Sequence, residues 1–345
     1  MDPTLFLLML SLGVPPAGRL WLWQRRKHRA RRLLCDALAL QEGDDGALTG
    51  SSDGVHLVIR LTALGNEGNE VSAHVELLDA LGPAAFDLSA QGFTTTLLSG
   101  PDLDVGDPAF DDVVYLKAAD PSEALAALSP EAREAVSDAV QAGWSRQEAR
   151  WAWETDATPE QVLHQVRLGV RACTALRQAG TLTTQLEART RDPSAGVRAR
   201  AWRALMARDA VDDETLRGLL AAQDDLSVDA AARLGEEGRA WLSDHLARWP
   251  RDRRLLAALA LAPHEPEPST RLEAILLEGL RGPRAAACVD ALAFVGGAAA
   301  LPALQGRGGA EAAVASILAR REATAGQVSL VEAGPEGAVS LSQDP

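Results

Sequence analysis

From Val55 the chain alternates apolar and polar residues with a period of two. Val55, Leu57, Ile59 and Leu61 alternate with His56, Val58, Arg60 and Thr62. After ALGNEGNE the run resumes as Val71, Ala73, Val75 and Leu77 against Ser72, His74 and Glu76. Two such runs across a Gly/Asn loop predict an antiparallel hairpin with one buried face. Pairing Ile59 with Ala73 keeps the apolar residues together and sets Val58 opposite His74 and His56 opposite Glu76. Phe86–Leu88, Phe93–Leu98, Val113–Ala118 and Ala149–Glu154 read as further strands. Leu33–Leu40 reads as a short helix. PSEALAALSPEAREAVSDAV reads as two helices, with Ser122 capping the first and Ser129-Pro130 opening the second. Residues 33–155 are thus expected to form a small antiparallel, β-rich α+β domain.

Beyond residue 156 the period changes to that of helices. Pro159–Gln178 predicts a long helix with Leu163, Val166, Val170, Cys173 and Leu176 inward. Five small-residue helices then recur, aligned on Leu205, Leu234, Leu261, Leu292 and Leu318, about 28 residues apart. Partner helices are expected at Leu182–Thr190, Glu214–Gln223, Gly238–Trp249, Thr270–Leu280 and Ala298–Gln305. Asp192-Pro193 followed by Val197-Arg198, and the glycine pair and Pro302 in ALAFVGGAAALPALQ, resemble HEAT-like repeats. That resemblance implies an α-solenoid over 156–323 and no particular activity. The tail 324–345 is rich in Gly, Ser, Glu and Pro and reads as disordered.

The N-terminus changes the picture again. LFLLMLSLGV at 5–14 continues through Pro15-Pro16 to Trp21-Leu22-Trp23, about the length of a membrane span. Positive charge lies only after it, in RRKHRARR from Arg25. By the positive-inside rule, residues 1–32 form an apolar N-terminal helix, an anchor with a basic flank, and the body is cytoplasmic. An in-plane helix, a signal peptide and a soluble helix are the alternatives; a nucleic-acid patch is the alternative reading of the basic run.

Charge is uneven. Residues 36–123 carry 17 acids against Arg60 and Lys117, whereas residues 160–325 are nearly neutral, within a total of −14. An acidic module repels nucleic acid. Cys35, Cys173 and Cys288 are too few and too scattered for a disulfide framework.

In the acidic domain, Gly106, Asp107, Phe110 and Asp111 precede Leu128, Ser129, Pro130, Glu131 and Arg133. This Gly-Asp-x-x-Phe-Asp element with its Leu-Ser-Pro-Glu-x-Arg helix resembles a segment of membrane-anchored bacterial proteins that have no assigned activity, some of which continue into helical repeats. The resemblance implies architecture and no chemistry.

No catalytic, cofactor-binding or metal-binding set is found. Asp102–Asp112 lacks the twelfth-position glutamate of a calcium loop, where Val113 stands, so Asp107 and Asp111 are expected to cap backbone. His56 and His74 share the exposed hairpin face and invite a zinc or catalytic reading, against which stands that of ordinary surface histidines. GRGG at 306–309 lacks the lysine of a phosphate loop. Trp144, Trp151 and Trp153 with Arg146 and Arg150 read as the seam between two domains, or as a stacking surface. The expected function is a membrane-tethered, cytoplasm-facing scaffold that is not an enzyme, carries no cofactor, and binds a protein on its solenoid and the membrane through residues 5–23. The alternatives are a nucleic-acid protein using Arg198, Arg200, Arg203, Arg251, Arg253 and Arg254, held to be disfavoured by the charge, and an enzyme like the bilin-attaching lyases.

Overall fold

A computed structural model describes residues 17–64, 71–78, 86–91, 102–147, 149–177, 179–265 and 267–323. The expected strand at Phe93–Leu98, the apolar run 5–14 and the tail from Thr324 lie outside these residues. The chain divides into two compact units, residues 1–208 and 209–345.

Among the described residues, the first unit is built on one eight-stranded antiparallel sheet. Its strands are β1 Gln41–Glu42, β2 Leu48–Ser52, β3 Val55–Leu64, β4 Val71–Leu78, β5 Phe86–Ala90, β6 Val114–Ala118, β7 Ser145–Gln147 and β8 Arg150–Ala157, in the order β1-β2-β3-β4-β8-β7-β5-β6. Alternation sorts the faces as expected: Val55, Leu57, Ile59, Val75 and Leu77 are fully buried. The register differs by two residues. Ile59 faces Val75, Leu61 faces Ala73 and Val58 faces Glu76, with an irregularity between Leu61 and Leu64. A two-residue slip leaves every side chain on its own face, so the hydrophobic pattern does not resist it.

Helices α1 (Ala17–Leu38), α4 (Pro130–Gln141) and α5 (Pro159–Leu176) pack on the sheet. Between Ala17 and α4 come α2 (Pro108–Asp111) and α3 (Pro121–Ala127). Proline opens α2, α3, α4 and α5, where the missing N–H has no helical partner to lose. Asp120 caps α3, in place of the expected Ser122, and Ser129 caps α4. In α5, Gly169 allows Leu77 and Trp144 to touch the helix backbone; a Cβ there would lie 2.6 Å from Leu77 Cδ1. Trp144, Trp151 and Trp153 are buried here. Trp144 stacks on Trp153 at 6.3 Å, and their indole N–H groups donate to Gln165 and to the Ala142 carbonyl. The tryptophans therefore belong to the core of one unit and offer no surface for a ligand. Helices α6 (Leu182–Arg189) and α7 (Ala195–Ala207), both packed on α3, complete the first unit.

The expected membrane anchor is corrected. Among the described residues no helix is long and apolar enough to cross a membrane. Residues 5–16 of the expected span lie outside the described residues. Its remainder, from Ala17, begins a helix that runs unbroken through Arg25–Arg32 to Leu38. That helix buries Ala30 and Leu34 and packs on β2 and α5. Arg31 pairs with Glu42 and donates to the Gly46 carbonyl at 3.0 Å. The basic run is thus part of the folded unit. The apolar N-terminal helix, the single-pass placement and the cytoplasmic orientation that rested on them are withdrawn.

The second unit is helical: α8 Asp213–Leu220, α9 Asp225–Arg233, α10 Gly235–His245, α11 Arg251–Leu261, α12 Thr270–Gly279, α13 Ala285–Val295, α14 Leu301–Leu304, and α15 over 311–323. From α8 to α13 each helix packs on the next, and α9 also touches α11, which touches α13. Asp212, Asp224 and Ser269 cap α8, α9 and α12. Of the five aligned leucines, Leu205 in the first unit and Leu261 and Leu292 in the second are buried. Leu234 is half-buried at the α9–α10 junction, where Val228, Ala230 and Ala231 fill the core instead. Leu318 is 42% exposed and Ile317 takes the inward place. Gly238 explains the tight junction: a Cβ there would meet the Ala231 carbonyl oxygen at 1.7 Å, so no other residue lets α10 start so close to α9.

Candidate functional site: an acidic loop, a buried arginine and a groove

The loop 102–112 is fastened by its own carboxylates. Asp102 accepts from Leu116 N at 2.9 Å and Leu103 N donates to Leu116 O, which straps the loop to the outer edge of β6. Asp111 accepts from Val105 N and Gly106 N, both at 2.9 Å, and Asp107 caps α2 through Ala109 N. Both aspartates thus take the capping role expected of them. Their oxygens are directed at backbone N–H groups, the arrangement of an acidic turn. Among the described residues no group of three or more His, Cys, Asp or Glu could hold a metal.

Two phrases singled out in the sequence meet at this loop. Arg133, from the fourth residue of α4, is 4% exposed. Its Nε donates to Asp107 Oδ2 at 2.6 Å, and Nη1 donates to the Leu128 carbonyl at 2.9 Å. Nη1 and Nη2 together hold both oxygens of buried Asp192 at 3.0 and 2.8 Å. Burial opposes the charge on Arg133, and Asp192 and Asp107 more than offset it, so its pKa is raised. Burial dominates at neighbouring Arg189, whose pKa is lowered. The fork geometry suits a guanidinium and would not suit a lysine. Asp192 also accepts from Ser194 N, and the Ser194 hydroxyl donates to Gly106 O at 2.6 Å. The Asp-Pro turn was legible in the sequence; its role as the counter-charge to Arg133 was not.

Beside this cluster lies an open groove of 310 Å³, lined by Leu103, Asp104, Val105, Pro121, Ser122, Leu125, Arg200, Arg203 and Ala204. Asp104 pairs with Arg200 at 2.5 Å. At the start of α3, Arg208 donates to Ser122 Oγ and to Asp120 Oδ2. Asp111 stands behind Asp104: burial, reinforced by the hydrogen bond to Asp104, pushes its carboxyl up to about 6. The same hydrogen bond, with Arg200, holds Asp104 below the usual carboxylate range.

The other candidate residues do not converge. His56 is exposed opposite Leu78, whereas His74 faces Arg60. His74 contacts Glu76 at 3.2 Å and Glu154 at 3.5 Å, and its hydrogen bond is the main reason the Glu76 pKa is lowered. Of the arginines considered for nucleic acid, Arg198 caps the Asp192 and Pro193 carbonyls, Arg200 pairs with Asp104, Arg253 with Asp225 and Arg251 with Glu278. GRGG spans a turn with Gly306 and Gly309 at positive φ. Cys173 and Cys288 are buried thiols and Cys35 is half-buried. No protein-family model, curated protein or solved structure matches the chain.

Proposed function

We propose that this protein acts by binding a protein partner, without covalent chemistry, and that the helix pairs of the second unit supply the principal surface. The observation that carries this reading is the row α9-α11-α13, in which alternate helices touch while the helix between them packs on both neighbours. Such contacts support a HEAT-like reading, in which each helix pair would cover its neighbour's apolar face and leave an extended surface for contact. Ion pairs between pairs of helices, Arg217 to Glu237 and Arg253 to Asp225, tie the array on its outside. The nucleic-acid reading is weaker, because Arg251 and Arg253 already face carboxylates and affinity for phosphate rests largely on uncompensated cations.

The test is chemical cross-linking and capture with the full chain, in parallel with a double-stranded DNA and a single-stranded RNA retention assay at physiological salt. The expected outcome is a stoichiometric protein partner whose capture falls when the exposed Phe294, 50% accessible, becomes Asp. Retention of either nucleic acid with no protein captured refutes the reading.

A further inference from the structure

We infer that the segment Asp104–Gly106 is a pH-sensitive latch on α7, closed in mild acid and loosened near neutral pH while the rest of the first unit stays folded. Three contacts close it. Asp104 pairs with Arg200 of α7, the Ser194 hydroxyl at the start of α7 donates to the Gly106 carbonyl at 2.6 Å, and Gly106 lies against the backbone of Gly196. Behind these contacts stand two carboxylates on one donor. Asp104 Oδ1 accepts from Gly106 N at 2.7 Å, and Asp111 Oδ2 accepts from the same N–H at 2.9 Å. Two ionised carboxylates this close repel, so the closed arrangement favours a proton on one of them.

Asp111 is the carboxyl that keeps its proton. Burial, then the hydrogen bond to Asp104, raise its pKa to about 6, and among the described residues no cation pairs with it. Asp104 has Arg200 and stays ionised. Around the two, the loop and α2 add Asp102, Asp107 and Asp112, and Arg133 of α4 is taken by Asp107 and Asp192. Asp120 at the start of α3 is taken by Arg208, and α7 adds Arg203 along the groove wall. On β6, Tyr115 is buried and Lys117 is exposed. As pH rises, Asp111 gives its proton to water and two negative charges meet at one N–H. Asp111 is fixed by a second backbone donor, Val105 N at 2.9 Å, whereas the Asp104 side chain is 64% exposed and has room to swing away. Between about pH 4 and 6 the closed latch therefore binds more protons than the open one, and rising pH in that window favours opening.

The test is hydrogen exchange of single amides in the full chain, followed by NMR from pH 4 to pH 7 and corrected for the intrinsic rate. Protection of Val105 N and Gly106 N should fall by at least about tenfold over that range in the wild type. Leu103 N, which donates to Leu116 O at 2.8 Å on the other side of Asp104, is the reference and should change by less than about twofold. Asp111→Asn keeps an oxygen for Val105 N and sets a permanent N–H toward Asp104, so its protection should not vary with pH. Asp104→Asn, at an exposed position, removes the repulsion from the other side and should also abolish the slope. Ser194 makes no side-chain cap bond in α7, so Ser194→Ala probes the attachment alone and should lower the protection of both amides at pH 4. Level protection in the wild type, the same fall in either asparagine variant, or an equal fall at Leu103 overturns the latch. Wild-type protection in Ser194→Ala overturns it too, since the loop is then not fastened to α7.

Discussion

Gly106 and Gly196 face each other backbone to backbone, so that a Cβ on Gly196 would lie 2.2 Å from the Gly106 carbonyl oxygen. Gly106 also has φ +88°, a conformation that side chains strain to adopt. Gly196→Ala should therefore destabilise the protein by about 2–4 kcal/mol, because the overlap is with backbone and cannot relax by a rotamer change. Gly218→Ala is the matched control. It lies within α8 with nothing within 4 Å, and should be neutral or stabilise by about 0.5–1 kcal/mol. Thermal unfolding of both variants decides; equal losses would reject the contact.

The Arg133–Asp192 pair is buried on both sides. Removing one partner should cost about 3–5 kcal/mol, because the other charge is left buried and uncompensated. Arg133→Met with Asp192→Leu should recover a large part of that loss. Chemical denaturation of the two single variants and the double gives the coupling, and additive losses would mean the pair is not coupled.

The Asp104–Asp111 pair sets a pH dependence. Asp111 has a carboxyl pKa raised to about 6, so between about pH 4 and 6 the folded chain holds a proton that the unfolded chain has lost. Its stabilising contribution is present below pH 4 and disappears as pH rises through 6. The lowered pKa of Asp104 acts in the opposite sense and is lost toward lower pH, as acid protonates that group. Asp111→Asn should flatten the fall in melting temperature between pH 4 and 6. An unchanged slope would remove Asp111 as its source.

In the second unit Glu273, 6% exposed, accepts from Gly297 N at 3.0 Å and so caps the glycine pair after α13. Glu273→Ala leaves that part-buried N–H without its acceptor and should cost about 1–3 kcal/mol. Glu273→Gln keeps an oxygen there and should cost less. Hydrogen exchange at Gly297 reports the bond directly, and similar protection in wild type and Glu273→Ala would show it to be dispensable.

Leu205→Ala should cost about 2–5 kcal/mol, since the side chain is 1% exposed. Leu318→Ala, at an exposed position, should stay within about 0.5 kcal/mol. A melting comparison in which the exposed site costs as much as the buried one would contradict the placement of α15.

Local periodicity made much of this fold legible. The faces of β3 and β4, the proline-opened helices α4 and α5 and the helices around Leu205 and Leu292 follow from spacing alone. The register of β3 on β4 does not, because a period of two is blind to a slip of two. Leu234 misled for a different reason: a leucine ending a small-residue helix looks inward in sequence, yet Gly238 brings the next helix so close that alanines occupy the interior. The N-terminal run misled because apolar residues 5–23 were weighed as one segment, whereas the helix from Ala17 continues into the basic residues. The site was legible in its parts. Asp107, Asp111 and Arg133 stood out as phrases, but Asp192 is 59 residues from Arg133, and no local pattern announces a partner at that distance.

The Arg133–Asp192 pair also governs where the chain can be divided. A polypeptide that ended with β8, at Ala157, would keep Arg133 and Asp107 but lose Asp192, the carboxylate that its two Nη atoms hold. Gene fusions, truncations and recombination events that treat the sheet and the α6–α7 pair as separate cassettes would each break this buried two-pronged pair. The segment that carries the sheet together with both partners of this pair therefore runs on through α7 to Arg208, where the first compact unit ends.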